Sequence, residues 1–320
     1  KSTIFGRAVS FNWIERCASD AEVGDSNSPR PTRGKVMIET KILSDKFRDL
    51  NSLIKDEKYN YSNANPYPHI VLKNFFDEKF LDEILNSFPD LSQSKSSKEW
   101  KNKNEIKFGN SDYSSFPDKI KLLFDFLNSK NFLDFLQKLT SINEKLVHDP
   151  ELNGGGLHEI KKGGTLKIHT DFNRHPTLDL DRRINVLIYL NKNWKDSYGG
   201  QLELWDKSMR KCIKKISPTF NTMVIFSTTD FSNHGHPEPL NCPEEMSRKS
   251  LALYYFSSGR PDSEIINKHK KNRTYFKNRD GIRDDADEKR ENLKDFFRSF
   301  KFYKFMKNFE KKYIRRNKNK

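Results

Sequence analysis

Hydrophobic and polar positions along the 320-residue chain change period twice. The first apolar run after Pro66, His69-Ile70-Val71-Leu72, has the length and residue types of a short strand. Helical spacing follows. Asp77 to Phe88 carries apolar side chains at Phe80, Leu81, Ile84, Leu85 and Phe88, with Asp77 placed to cap the first turn. Ile120 to Leu127 and Phe132 to Leu139 repeat that spacing, so a helical layer is predicted ahead of residue 150.

After Asn153-Gly154-Gly155-Gly156 the pattern becomes a series of short β-like runs. They cover Thr165 to His169, Ile184 to Leu190, Gln201 to Trp205, Thr222 to Ser227 and Ser250 to Phe256. Gly163-Gly164 and Ser197-Tyr198-Gly199-Gly200 mark turns between them. Such spacing predicts a sandwich or barrel, and the fold class is mainly β with flanking helices, an α+β arrangement. No repeat of solenoid period is present. Three regions are expected: an extension over 1–42 with turn-rich composition around Pro29 and Pro31, a folded domain over 43–261 with its core at 154–260, and a basic extension over 262–320.

Composition adds bulk and charge to this picture. The 25 Phe, 11 Tyr and 4 Trp supply core material, and 32% charged residues make a polar surface. A wholly disordered chain is excluded by that aromatic content. The net charge of +15 is unevenly spread. Residues 292–320 hold eleven Lys/Arg against two acids, interleaved with Phe302, Phe305, Phe309 and Tyr313, a helical stripe suited to an anionic membrane surface or nucleic acid, or to docking on the barrel. Cys17, Cys212 and Cys242 are odd in number and far apart, which argues against a disulfide framework. No apolar run reaches the ~18 residues of a membrane span. Together these lead to the expectation of a cytoplasmic location.

Candidate chemistry centres on Lys167-Ile168-His169-Thr170-Asp171. On a strand, positions two apart face the same way, so His169 and Asp171 can reach one metal ion. A distant histidine would complete a two-His, one-carboxylate set that leaves three coordination positions open and suits non-haem Fe(II). The segment Asn233-His234-Gly235-His236-Pro237, read as a His-rich turn, offers that ligand. His234 is favoured, with His236 as the alternative distal ligand. His236 and Glu238 make a second His-x-acid pair, but the prolines around them disfavour a second metal site. His175 is read as a loop residue that could line a substrate entrance. Arg248, at the start of the last strand, is a guanidinium suited to a bidentate carboxylate. Ser250 on the same strand face, and Tyr189 on another strand, could add hydroxyl donors.

The ordered runs Gly163 to Asp171, Arg183-Ile184-Asn185 through Tyr189-Leu190-Asn191, Gly199 to Leu204, and His234 followed by Arg248-Lys249-Ser250-Leu251 resemble the prolyl 4-hydroxylase-like family of 2-oxoglutarate/Fe(II)-dependent dioxygenases. The resemblance is strongest over about 154–260. It implies a double-stranded β-helix, a cupin-like jelly roll, with helices on one side. It also implies iron on His169, Asp171 and the distal histidine, 2-oxoglutarate and O2 as cosubstrates, and ascorbate as an auxiliary reductant. Arg248 would hold the far carboxylate of 2-oxoglutarate, helped by Ser250 and by Tyr189, which matches a position used so in some members. Leu166 departs from the pattern, standing where many relatives have tyrosine. The expected reaction is hydroxylation of an unactivated C–H, a prolyl residue of a peptide or protein being the leading substrate and a small molecule the other. Two rival classes compete: a cupin-type metal protein that does not use 2-oxoglutarate, and a non-catalytic barrel that only carries the basic tail.

Overall fold

The computed structural model describes residues 42–265 and 272–282. The extension over 1–41, Cys17 within it, and the basic segment 283–320 lie outside the described residues. Among the described residues four α-helices, with three strands interspersed, lie ahead of residue 150: α1 (Leu50–Ser62), α2 (Glu78–Ser87), α3 (Asp118–Leu127) and α4 (Lys130–Thr140). Asp77 caps α2 as its sequence position predicts, its carboxylate accepting from the Phe80 amide. Such a cap is worth about 1 kcal/mol. In α3 the side chains of Ile120, Leu123, Phe124 and Leu127, and in α4 those of Phe132, Phe135, Leu136 and Leu139, are buried. Their i, i+3, i+4 spacing gathers them on one face, where each contributes about 1.5–3 kcal/mol by leaving water.

That face lies on a curled antiparallel sheet. Its strands are β1 (His69–Lys73), β2 (Lys98–Lys101), β3 (Glu105–Asn110), β4 (Val147–His148), β5 (Gly156–Lys161), β6 (Thr165–Thr170), β7 (Asp181–Tyr189), β8 (Leu202–Trp205), β9 (Cys212–Ile216), β10 (Thr222–Ser227), β11 (Asn233–His236), β12 (Ser247–Ser257) and β13 (Tyr275–Phe276). They run in the order β1-β10-β7-β12-β5-β3-β6-β11-β8-β9, with β2 beside β3, β4 beside β12 and β13 beside β6. Strand β3 joins the two halves, pairing with β5 through Phe108–Asn110 and with β6 through Glu105 and Ile106. The result is the jelly-roll architecture, mainly β with helices on one side.

Period-two alternation decides what faces the barrel interior. On β7, Ile184, Val186 and Ile188 join the core shared with the helices. Asn185, Leu187 and Tyr189 therefore turn inward. On β12, Leu251, Leu253 and Tyr255 face the helices, which leaves Arg248, Ser250 and Tyr254 on the inner face. The strand that matters most was not expected as one. Asn233 to His236, read from sequence as a turn, is β11, held between β6 and β8. A side chain at Gly235 would bring its Cβ to 2.7 Å from the carbonyl oxygens of Leu166 and Lys167. Glycine there is what lets β11 approach β6 closely enough to pair.

Candidate functional site

Strand register brings the site together. His169 of β6 and His234 of β11 are directly opposite one another, with ring centroids 4.5 Å apart. Asp171 follows immediately past the end of β6. His169 Nε2 lies 3.6 Å from Asp171 Oδ1, and His234 Nε2 lies 3.5 Å from Asp171 Oδ2. One donor atom from each residue falls within 4.8 Å of the others, and no other such group of three occurs among the described residues. All three are buried, at 5%, 8% and 6% exposure. The ring of His236 is not part of this group.

Hydrogen bonds around the group fix which atoms are free. His169 Nδ1 donates to the Lys167 carbonyl at 2.8 Å, and His234 Nδ1 donates to the Ser232 carbonyl at 2.9 Å. A neutral ring carries one N–H, so each Nε2 is left as a bare lone pair. Two bare nitrogens then confront a carboxylate at about 3.5 Å with no proton between them. That arrangement is repulsive by itself and favourable around a cation. The site thus fits a divalent metal, and its two imidazoles and one carboxylate match the set used by non-haem Fe(II).

Electrostatics keep Asp171 ionised and His234 neutral. Burial pushes the Asp171 carboxyl upward, but the Arg182 cation, then His234 and His169, outweigh it and hold the group well below the usual carboxylate range. Burial lowers His234 to about 4, against the opposing pull of Asp171. Asp171 is also braced mechanically: Asn185 Nδ2 donates to its Oδ2 at 2.7 Å, and Arg182 Nη2 lies 3.1 Å from the same oxygen. Such outer partners orient a metal ligand and tune its basicity.

Arg182 had no role in the sequence reading. It is 1% exposed, with its guanidinium 3.3 Å from the Tyr254 ring centroid and 4.5 Å from that of Phe172. Its Nε donates to Asn185 Oδ1 at 2.9 Å. The signal that could have found it is an arginine doublet, Arg182-Arg183, opening an otherwise apolar strand. Arg183 serves elsewhere, pairing with Glu144 and Glu264.

The donor group opens into a cavity of about 220 Å³. Arg248 and Ser250 line it, together with His236, Lys107 and Trp100. Arg248 is 5% exposed. Its Nε donates to the Gly200 carbonyl at 2.8 Å and its Nη2 to the Tyr189 hydroxyl at 3.2 Å. Gly200 has φ +74°, and a Cβ there would meet Leu240 Cδ2 at 2.7 Å and Arg248 Cδ at 3.0 Å, so the Gly199-Gly200 turn makes room for this arginine. Among the described residues no carboxylate forms an ion pair with Arg248. Tyr189 stands behind Arg248 rather than on the cavity wall. Burial raises its phenol above the ordinary value despite Arg248 beside it, so it remains a neutral O–H.

Other expectations resolve as follows. His175 does not line the cavity; it is buried against Asp149, with Nε2 3.2 Å from Oδ1, and its Nδ1 accepts from the Leu178 amide at 3.0 Å. Glu238 makes no pair with His236 but bonds Arg279 at 2.7 Å. His236 has neither ring nitrogen hydrogen-bonded, and burial, then the Arg248 and Lys107 cations, push it well below the ordinary histidine value. Thr274 and Phe276, from the region counted with the C-terminal extension, reach the cavity wall; β13 sets the Phe276 ring 5.5 Å from His169.

Residues 155–256 match the family model described as the 2OG-Fe(II) oxygenase superfamily. Among solved structures, the chain is similar to a prolyl hydroxylase in complex with a hypoxia inducible factor oxygen degradation domain peptide fragment from Trichoplax adhaerens. That match has 18% identity and a TM-score of 0.49, over 66% of this chain and 92% of the other. It is also similar to a prolyl 4-hydroxylase from Phytophthora capsici, at 15% identity and TM-score 0.46, over 76% and 71%. A third is HygX from Streptomyces hygroscopicus with nickel and 2-oxoglutarate bound, at 10% identity and TM-score 0.44, over 64% and 87%.

Proposed function

We propose that this chain is a 2OG-Fe(II) oxygenase that hydroxylates an unactivated C–H bond while 2-oxoglutarate is decarboxylated to succinate. The superfamily implies Fe(II), 2-oxoglutarate and O2. In our reading His169, Asp171 and His234 hold the iron, and Arg248 with Ser250 holds the far carboxylate of 2-oxoglutarate. The observation that carries it is one cavity with a bare His-Asp-His donor set and a buried arginine that has no acidic partner among the described residues. When bound, the iron supplies activation of O2 at the expense of the oxo acid, giving CO2, succinate and an oxidised substrate.

The chain's own residues set the stage. The Lys167 and Ser232 carbonyls fix the two imidazole tautomers. Asn185 and Arg182 fix Asp171. Gly200 and Tyr189 aim Arg248, whose planar guanidinium can meet a carboxylate with two parallel hydrogen bonds. Neutral walls such as Trp100, Phe172 and Phe276 limit water around the metal position. The finer reading, a prolyl residue of a peptide or protein as substrate, is supported by the motif resemblance over 154–260. Residues 98–110 and 274–276 would form the rim that receives it.

Succinate formation in the presence of Fe(II), 2-oxoglutarate and O2 tests the reaction, with and without a panel of prolyl peptides. Stimulation by a peptide supports the prolyl reading. Absence of succinate from wild-type protein overturns the enzyme reading; a thermal shift with Mn(II) to which 2-oxoglutarate adds nothing then favours the cupin-type role, and no shift with either favours the scaffold role.

A further inference from the structure

His236 is the cavity residue that the proposed chemistry leaves without a task. Its side chain is 3% exposed and both ring nitrogens lack a hydrogen-bond partner among the described residues. A buried polar group left so costs about 1–3 kcal/mol, unless something in the cavity completes it. His236 lies two residues beyond His234 on β11, and both rings line the cavity. It pairs across to Leu166, three residues before His169, so it sits on the wall away from the metal donors.

The Arg248 guanidinium lines the same cavity with fewer free donors than an arginine normally offers. Its Nε is engaged by the Gly200 carbonyl and its Nη2 by Tyr189. Three of its five N–H donors remain for a carboxylate, which presents about four acceptor positions and is shared with the Ser250 hydroxyl, and the unbonded His236 ring stands ready as a further donor in the same cavity. The other cavity group with unbonded nitrogens, Arg182, already directs its charge at Asp171. Resting on the function proposed above, we infer that His236 is a further binding residue for the far carboxylate of 2-oxoglutarate, sharing it with Arg248. One imidazole N–H donates to a carboxylate oxygen, and the pocket thereby selects oxo acids that carry a second carboxylate.

The test uses full-length, Mn(II)-loaded protein and two ligands in calorimetric titration. 2-Oxoglutarate has the far carboxylate; 2-oxobutanoate keeps the oxo acid and lacks it. For His236→Val, the Kd of 2-oxoglutarate is expected to rise about tenfold, as for one hydrogen bond to a charged group. The affinities for Mn(II) and for 2-oxobutanoate stay at wild-type values. His236→Asn, which returns an N–H, recovers part of the loss. In wild-type Zn(II)-loaded protein the His236 imidazole nitrogen resonances shift with 2-oxoglutarate and not with 2-oxobutanoate, a readout that holds even if a variant folds poorly. Equal weakening of both oxo acids, loss of Mn(II) binding, or unmoved His236 resonances overturns the assignment. Wild-type protein that does not bind 2-oxoglutarate removes the underlying function as well. Binding abolished by Arg248→Met but untouched by His236→Val removes this inference alone.

Discussion

Two buried arginines face one cavity, and they are held in opposite ways. Arg182 lies against Asp171, bonds Asn185 and packs between the rings of Phe172 and Tyr254. Its charge is answered within the protein. Arg248 is buried almost as deeply, yet its described partners are a backbone carbonyl and a phenol, both neutral. The first arginine is part of a finished structure; the second is a cation waiting for an anion. A buried charge without a partner is costly, so its presence beside a metal-fitting donor set argues for a ligand that carries a carboxylate.

The largest effects are expected where the donors themselves are changed. His169→Ala, His234→Ala or Asp171→Asn should lower Mn(II) affinity by more than about a hundredfold, since even outer partners of metal ligands are worth 10–100-fold. Succinate formation should fall below detection. Turnover at wild-type rate in any of the three would end the metal assignment and, with it, the contrast between the two cavity ends.

Arg248→Met should come next, and it acts on binding alone. Loss of a charged partner for a buried carboxylate costs about 2–5 kcal/mol, at least thirtyfold in the Kd of 2-oxoglutarate. The thermal stability of the ligand-free protein should hardly change, because the variant also removes a buried cation that has no ion pair among the described residues. Arg182→Met should give the reverse. It leaves the Asp171 carboxylate buried with Asn185 as its remaining neutral donor, a loss of about 3 kcal/mol in the stability of the metal-free protein, readable by urea unfolding. If Arg248→Met destabilised the metal-free protein more than Arg182→Met, the two arginines would not differ as described.

Much of this was legible before any coordinates, for identifiable reasons. The His169/Asp171 pair follows from strand alternation, and the helices over 78–87, 118–127 and 130–140 follow from apolar spacing. Other parts were hidden. Helix α1 shows few apolar positions because only Tyr61 is fully buried. Strand β11 contains glycine, two histidines and a following proline, which read as a turn; its conformation comes from pairing with β6 and β8, a tertiary effect that overrides local preference. Nothing local in the sequence distinguishes Arg182 from Arg183, and only the fold shows that its partner is Asp171. Thr274 and Phe276 lie over a hundred residues from His169 in sequence, and strand pairing with β6 alone brings them to the cavity.

A pH series sharpens the comparison, because buried imidazoles line both the metal end and the Arg248 end of the cavity. His234 is lowered to about 4 by burial, and burial likewise lowers His158, to about 3, and His236. In the unfolded chain these rings take up protons below about pH 6.5. Between that value and about 4 the unfolded state therefore binds more protons than the folded one, and folding stability must fall as the pH falls. Metal-free protein in urea should lose stability steadily from pH 7 to pH 5, by about 2 kcal/mol for a group shifted as far as His234. Added Mn(II) should raise stability at pH 7 and lose that advantage on acidification, since protons compete for the same nitrogens. Arg248→Met should leave the slope of the metal-free profile close to wild type, whereas His234→Asn should flatten it. A profile that stays level from pH 7 to pH 5, or rises toward acid, would show that these imidazoles are not held neutral, and the donor set would lose the bare nitrogens on which metal binding depends.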